Sequence, residues 1–441
     1  MTLKIANASA FWGDTPGASE QLLSRAPDID FITYDYLAEV SLSIMAIQRE
    51  KDPSEGYAKD FIQVVKSLLP YWKKGLKFKL ISNAGGLNPL ALAEQIKPLI
   101  YPKKCFVVLG DDVFDQMKTD PKKDSFKNLD NGKNFEEVAQ KAVTANAYLG
   151  ASSIVEALKQ GADVVITGRV ADPSLTVAPC IYRFGWAEDD YQKIAQATIA
   201  GHLIECGTQV TGGISTDWMS IKGSQPIGFP IVEVESDGTF SVTKAPGTGG
   251  KVTLTTVKEQ LIYEIGDPAS YLSPDAKVSF MNVGLEQKGD DRVEVKGAIG
   301  GAPTPFYKVS ATYRAGYKAE GMIALYGDHL PEKARLAGEL VLEKVKDAGY
   351  EWNSSRIELI GAGAMAHAEV PDIREGMLRI ALRSSSKEAL ERFSQEMASL
   401  VTCGPAGTTG ASSGRPTVRP AFGFWPCLIE RSEVKTLVKE V

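Results

Sequence analysis

Four carboxylates, Asp35, Glu39, Asp111 and Asp112, stand just after short apolar runs of the sequence. Such a cluster has two chemical uses. It can hold a hard divalent cation such as Mg2+ through oxygen, or unequal environments can split its pKa values into an acid and a base. Asp35 and Glu39 are four residues apart and share one face if that turn is helical, where their repulsion asks for a counter-ion. Arg169, with Asp172 three residues on, supplies a cation whose planar fork suits a substrate carboxylate; the plainer reading is an ion pair that only braces the chain.

His202 precedes Glu205 by three residues and Cys206 by four. The three share one face of a helix end, which suits a metal site or a proton relay. A histidine satisfied by its helix terminus is the plainer alternative, and Cys206 is nucleophilic only where a cation or a helix N-terminus favours its thiolate. The other histidines are His329 and His367. Three glycine segments could turn backbone N–H groups toward an anion. They are Asn83-Ala84-Gly85-Gly86, Pro246-Gly247-Thr248-Gly249-Gly250, and the loop from Cys403 to Pro416, which places Arg415 near its end. None of the three reads G-x-G-x-x-G or Walker A, so a nicotinamide or ATP site gains no support.

The elements that must position these groups fall into two halves. Lys4–Ala8, Phe31–Tyr34, Phe78–Ser82, Phe106–Leu109 and Val164–Thr167 are short apolar runs that read as buried parallel strands. Amphipathic segments lie between them. Phe61, Val64, Val65, Leu68 and Leu69 follow helical spacing, with Pro70 as the expected bend, and Asn88-Pro89 opens the next helix. In an open α/β sheet, ligands bind outside the carboxyl ends of the strands. Each run here ends in polar residues there: Asp14, Asp35 with Glu39, Asn83, Asp111 with Asp112, and Arg169 with Asp172. Each of these alone could be a cap or a turn former. Their convergence is what points to a site.

Lys118–Asn134 is rich in Lys, Asp and Asn and reads as a surface excursion. From Ile231 the pattern changes to a hairpin around Asp237-Gly238, further alternating runs, and helices near Val252–Ile265, Pro331–Lys346 and Lys387–Leu400. The expected fold class is α/β, a parallel doubly wound N-terminal sheet over residues 1–220 followed by an α+β domain with antiparallel strands over 221–441.

At 441 residues, 44% hydrophobic and 24% charged, with a net charge of -6, the composition is that of a globular chain without an electrostatic footprint for nucleic acid. Five cysteines without a CxxC pair fit a reducing compartment. Neither a signal-peptide pattern nor a membrane-length apolar stretch is evident, and a cytoplasmic location is expected.

Ala10-Phe11-Trp12-Gly13-Asp14, Tyr34-Asp35-Tyr36-Leu37-Ala38-Glu39-Val40, Ser82–Pro89, Ile166-Thr167-Gly168-Arg169-Val170, Gly201–Gly207 and Pro246–Gly250 together resemble signature stretches of the acyclic terpene utilisation family, in order and end to end. The resemblance implies a place in catabolism of citronellol- and geraniol-type compounds, whose intermediates travel as branched acyl-CoA thioesters. Longer members carry a C-terminal ferredoxin-like domain. This chain ends soon after its glycine-rich loop, which implies a large-chain form, a separate small ferredoxin-like partner subunit, and a homo- or hetero-oligomer.

The reading that joins residues and resemblance is a hydratase or dehydratase acting on a small branched or unsaturated carboxylic acid or its CoA thioester. Asp35 or Glu39 is the base, Asp111 or Asp112 a second acid or cation ligand, and His202 with Glu205 a relay. Asp14, Asn83, Gly85, Gly86, Arg169, Asp172, Thr248, Gly249 and Arg415 are placed around the substrate. The alternatives are an acyl-thioester hydrolase or transferase using Cys206 and His202, and a non-catalytic subunit of an acyl-CoA pathway complex.

Overall fold

The structure, a computed structural model, describes residues 2–221, 223, 225–365, 370, 372–411 and 414–441. It divides into two compact units, Met1–Thr312 with Phe424–Val441, and Tyr313–Gly423. The division expected at 220/221 does not coincide with this one.

The strands of the α/β part come first in the chain: β1 (Leu3–Asn7), β2 (Phe31–Tyr34), β3 (Lys79–Ser82), β4 (Cys105–Leu109), β5 (Ala142–Ala147) and β6 (Val164–Thr167). Then come β7 (Pro230–Val234), β8 (Phe240–Lys244), β9 (Tyr271–Leu272), β10 (Lys277–Ser279), β11 (Gly284–Gly289), β12 (Arg292–Lys296) and β13 (Ile299–Gly301). The last are β14 (Phe306–Tyr326), β15 (Ser354–Ile360), β16 (Glu375–Ser384), β17 (Thr408–Ala411), β18 (Arg419–Glu430) and β19 (Leu437–Glu440).

The first unit is centred on a ten-stranded sheet of order β11-β12-β8-β7-β1-β2-β3-β6-β4-β19. The middle five strands, β1, β2, β3, β6 and β4, are parallel. The expected hairpin forms, but it joins this same sheet, because β7 runs antiparallel to β1 with Ile5 opposite Val232. β19 closes the other side against β4.

Crossover handedness explains the layering. The steps from β1 to β4 all advance in one direction, so right-handed crossovers put the helices Ala18–Arg25, Glu39–Lys51, Phe61–Lys73 and Pro89–Ile100 on one face. Their apolar stripes (Leu22, Met45, Phe61, Leu68, Leu92, Ile96) bury against Ala6, Ile32, Leu80 and Val107. The step from β4 back to β6 reverses direction. Accordingly Ser152–Lys159, Ser174–Phe184 and Tyr191–Glu205 contact the sheet without joining that core cluster, as the opposite face requires. The sheet is doubly wound, and a reversal of this kind marks the carboxyl ends of β3, β6 and β4 as the edge where such sheets take ligands.

Two local expectations are corrected. The helix Phe61–Lys73 runs through Pro70, which lies exposed in its last turn and breaks no buried hydrogen bond. The Lys118–Asn134 segment is not purely superficial. Phe126 is buried, and Trp425, which donates through its indole nitrogen to the Phe126 carbonyl at 2.9 Å, is buried beside it.

The second unit is an antiparallel ladder, β15-β16-β14-β17, in which residues of β14 from Tyr313 take part. Helices Leu330–Asp347 and Lys387–Cys403 cover one face, burying Leu330, Val341, Leu390 and Phe393 against Ile323, Leu378, Ile380 and Leu382. This is the expected α+β architecture.

Candidate active site at the carboxyl edge of the parallel strands

The parallel strands deliver polar side chains to one edge. Asn83, fully buried after β3, donates through Nδ2 to Asp35 Oδ1 at 2.7 Å and accepts the Tyr36 N–H at 2.6 Å. Its amide therefore orients the carboxyl group that follows β2. The carboxyl group of Asp172 stands near enough to act on the ionisation of Asp35. Two neighbouring carboxyl groups disfavour each other's ionised form. Burial and the charge of Asp172 push Asp35 well above the usual carboxylate range, against the pull of Arg169. Burial raises Asp172 as well, with Arg169 opposing it.

Arg169, after β6, is 3% exposed. One Nη donates to the Leu37 carbonyl, and Nη2 lies 2.9 Å from Asp172 Oδ1. Its guanidinium stacks 4.0 Å from the Tyr148 ring centroid, and Nε has no partner among the described residues. Asp111 fixes the backbone behind it, accepting the Arg169 N–H at 2.8 Å and Asn146 Nδ2 at 2.8 Å. A side chain at Gly168 would stand 2.4 Å from Asp111 Oδ1, so glycine is required there. Burial pushes Asp111 up to about 6.

The second pair comes from the opposite face. Gly201 lets helix Tyr191–Glu205 pack against Pro173, whose Cα would be 2.7 Å from a Cβ at that position. Asn7, buried at the end of β1, donates through Nδ2 to the carbonyls of Ile204 and Glu205 at 2.8 and 2.9 Å. This secures the helix C-terminus to the sheet edge. His202, 2% exposed, must donate from Nε2 to the Gln260 carbonyl at 2.9 Å, which leaves Nδ1 facing Glu205 Oε1 at 3.0 Å. Burial pushes Glu205 up to about 7, with His202 opposing the shift. Burial works against an imidazolium, yet the bond to Glu205 outweighs it and His202 is raised. The pair shares a proton near neutrality. Glu205 Oε2 has no hydrogen-bond partner among the described residues, and the charge of Asp172 acts on Glu205 as that of Glu205 acts on Asp35.

Asp35, Asn83, Arg169 and Asp172 on one side and His202 with Glu205 on the other are thus coupled through the charges of their carboxyl groups. Glu39 joins them as a counter-charge: it is exposed at the start of helix Glu39–Lys51 and accepts the Tyr148 hydroxyl at 3.1 Å. Desolvation raises it, but its backbone amide, Arg169 and Lys308 outweigh that and lower it.

Other expected residues serve the fold. Asp112 is exposed and accepts the Phe114 N–H at 3.0 Å as a turn former. Asp14 closes its own loop through the N–H groups of Ala10 and Thr15. Gly85 and Gly86 are packing glycines, since a Cβ at Gly85 would meet the Thr167 carbonyl at 2.5 Å and one at Gly86 the Met45 sulfur at 2.1 Å. Thr248 donates to the Ala245 carbonyl at 2.6 Å, and Gly249 packs on the backbone of Gln225. Arg415 belongs to the second unit. Ser412 and Ser413 of its loop, and His367, lie outside the described residues.

The oxygen site for a divalent cation does not fit: Asp111 is engaged by two N–H donors, Asp112 faces Phe114, and among the described residues no group of three or more His, Cys, Asp or Glu side chains could hold a metal ion. Cys206 is no better placed as a nucleophile. Burial, followed by the charge of Glu205, pushes its thiol up to about 12, and both His202 nitrogens are engaged elsewhere.

Sequence reading missed Asn7, Asn146, Tyr148 and Gln260, which orient these side chains, and Tyr271, whose ring centroid lies 6.3 Å from that of His202. A usable signal was Gly201 inside an otherwise good helix, since such a glycine marks close packing. Among the described residues no helix is long and apolar enough to cross a membrane. Comparison with curated proteins and with solved structures finds no match. The family described as acyclic terpene utilisation family protein AtuA matches residues 3–439, and with that coverage the chain belongs to the acyclic terpene utilisation family.

Proposed function

We propose that this member of a family named for acyclic terpene utilisation is a hydro-lyase, adding or removing water on a small branched or unsaturated carboxylic acid or its CoA thioester. The observation that carries the reading is the pairing of two coupled carboxyl groups, Asp35 and Asp172, both raised above the usual carboxylate range, with the buried Arg169, whose Nε–H has no partner among the described residues. Such a pair supplies an acid and a base together. In dehydration the ionised member takes the proton at the carbon next to the carboxyl or thioester carbonyl. The electron pair forms the double bond, and the protonated member delivers its proton to the departing hydroxyl, which leaves as water. Arg169 Nε–H is suited to the negative charge that develops on the carbonyl oxygen. The carboxyl pair ends the turnover with the one proton it began with, now on the other member.

The test is exchange and hydration in D2O, followed by proton NMR, with a panel of branched 2-enoates, 3-hydroxy acids and their CoA thioesters. A turned-over substrate gains deuterium at the carbon next to the carbonyl. Asp35→Asn should slow this by about 10² to 10⁴ while the chain stays folded. Full activity in Asp35→Asn and Asp172→Asn, or no exchange and no water addition with any panel member, would falsify the reading and favour a non-catalytic role.

A further inference from the structure

Cations crowd the face of the second unit's sheet opposite its two helices Leu330–Asp347 and Lys387–Cys403. Side chains alternate across a strand, so the residues opposite the helix-packed Ile380 and Leu382 point the other way. On that side lies a groove of about 790 Å³ lined by Lys318, Arg356, Arg379, Arg383, Arg415 and Arg419, with Glu320 the one carboxylate among the described residues of its lining. Arg379 is neutralised by Glu320 at 2.7 Å and by Glu358, and Arg356 lies 3.4 Å from Glu358. Among the described residues Lys318, Arg383, Arg415 and Arg419 have no acidic partner, and all four are exposed.

The ladder sets the spacing. Lys318 stands directly opposite Arg383. Such cross-strand neighbours lie about 5 Å apart at Cβ, and like charges placed so repel each other. An anion with two adjacent charged groups relieves that repulsion, and guanidinium forks match phosphate oxygens. Among the described residues that line the groove there is no aromatic ring to stack on a base. The chain as a whole carries a net charge of -6, which opposes a long polyanion.

We infer that this groove binds the diphosphate group of a small organic diphosphate ester, recognising the two phosphates rather than what they are attached to. The experiment is calorimetric titration of the full chain with inorganic pyrophosphate, with ADP and with a single-stranded RNA, at about 0.15 M salt. Pyrophosphate and ADP should bind one per chain with affinities within a few-fold of each other. K318Q/R383Q should weaken both by at least about tenfold, and R415Q by several-fold, with circular dichroism unchanged. R335Q, on the helix Leu330–Asp347, should have no effect. Absence of saturable diphosphate binding, binding indifferent to K318Q/R383Q and R415Q, or RNA binding more tightly than ADP would each overturn the inference.

Discussion

Glu205 Oε1 lies 3.0 Å from His202 Nδ1, while His202 Nε2 is held 2.9 Å from the Gln260 carbonyl, so the one mobile proton of the pair sits between histidine and glutamate. Both groups hold protons more tightly folded than unfolded. The folded state therefore binds more protons than the unfolded chain as pH rises above the ordinary glutamate value, and their contribution to stability is lost as pH climbs through about 7. Asp35 and Asp172 are raised too and push the same way. Thermal melts from pH 5 to 8 should fall steadily for the native chain. Glu205→Gln should flatten that slope by on the order of 2 kcal/mol across the range. An unchanged slope would mean that Glu205 carries no extra proton.

Asp111 predicts a stability loss rather than a change in chemistry. Asp111→Ala strands the Arg169 N–H and the Asn146 amide. Two buried donors without acceptors cost about 2–4 kcal/mol. Asp111→Asn keeps an acceptor and should cost less than half as much in urea denaturation. Equal losses would show that charge rather than hydrogen bonding matters there.

These two residues mark where sequence reading stops. Asp35, Arg169, Asp172, His202 and Glu205 were legible because strand ends and helix faces place them by short-range geometry. Their division of labour was not. Asp111 and Asp35 each follow a short apolar run of the same kind, yet one meets two N–H donors and the other the charge of a second carboxyl group, a difference set by residues more than thirty positions away. Tyr148 follows β5, a strand in no recognised pattern, and Asn7 is a polar residue inside a buried strand. The sheet's extension through β7 was equally hidden, because a hairpin signal says that two strands pair, not which third strand they join.

The glycines after β3 separate an anion cradle from tight packing. Gly86 has φ +52° and faces the Met45 sulfur. Gly86→Ala should destabilise by about 2–3 kcal/mol through left-handed strain and overpacking. Combining it with Met45→Ala should cost at least about 1 kcal/mol less than the sum of the single changes, since the two sites share one clash. Strict additivity in a denaturation cycle would remove the packing explanation.

Cysteine reactivity tests the rival thioester chemistry directly. Cys403 is exposed, and its Ser399 hydrogen bond and the nearby Lys344 amine lower its pKa, whereas burial lifts Cys206 to about 12. The thiolate is the reacting species, so at neutral pH Cys403 should be alkylated by iodoacetamide first and Cys206 at least about a hundredfold more slowly. Peptide mass spectrometry over a time course reads both. Cys206→Ala should also leave turnover on any identified substrate within about twofold, because neither His202 nitrogen faces the sulfur. Rapid labelling of Cys206, together with loss of turnover in Cys206→Ala, would instead make it the nucleophile and displace the carboxyl dyad from the chemistry.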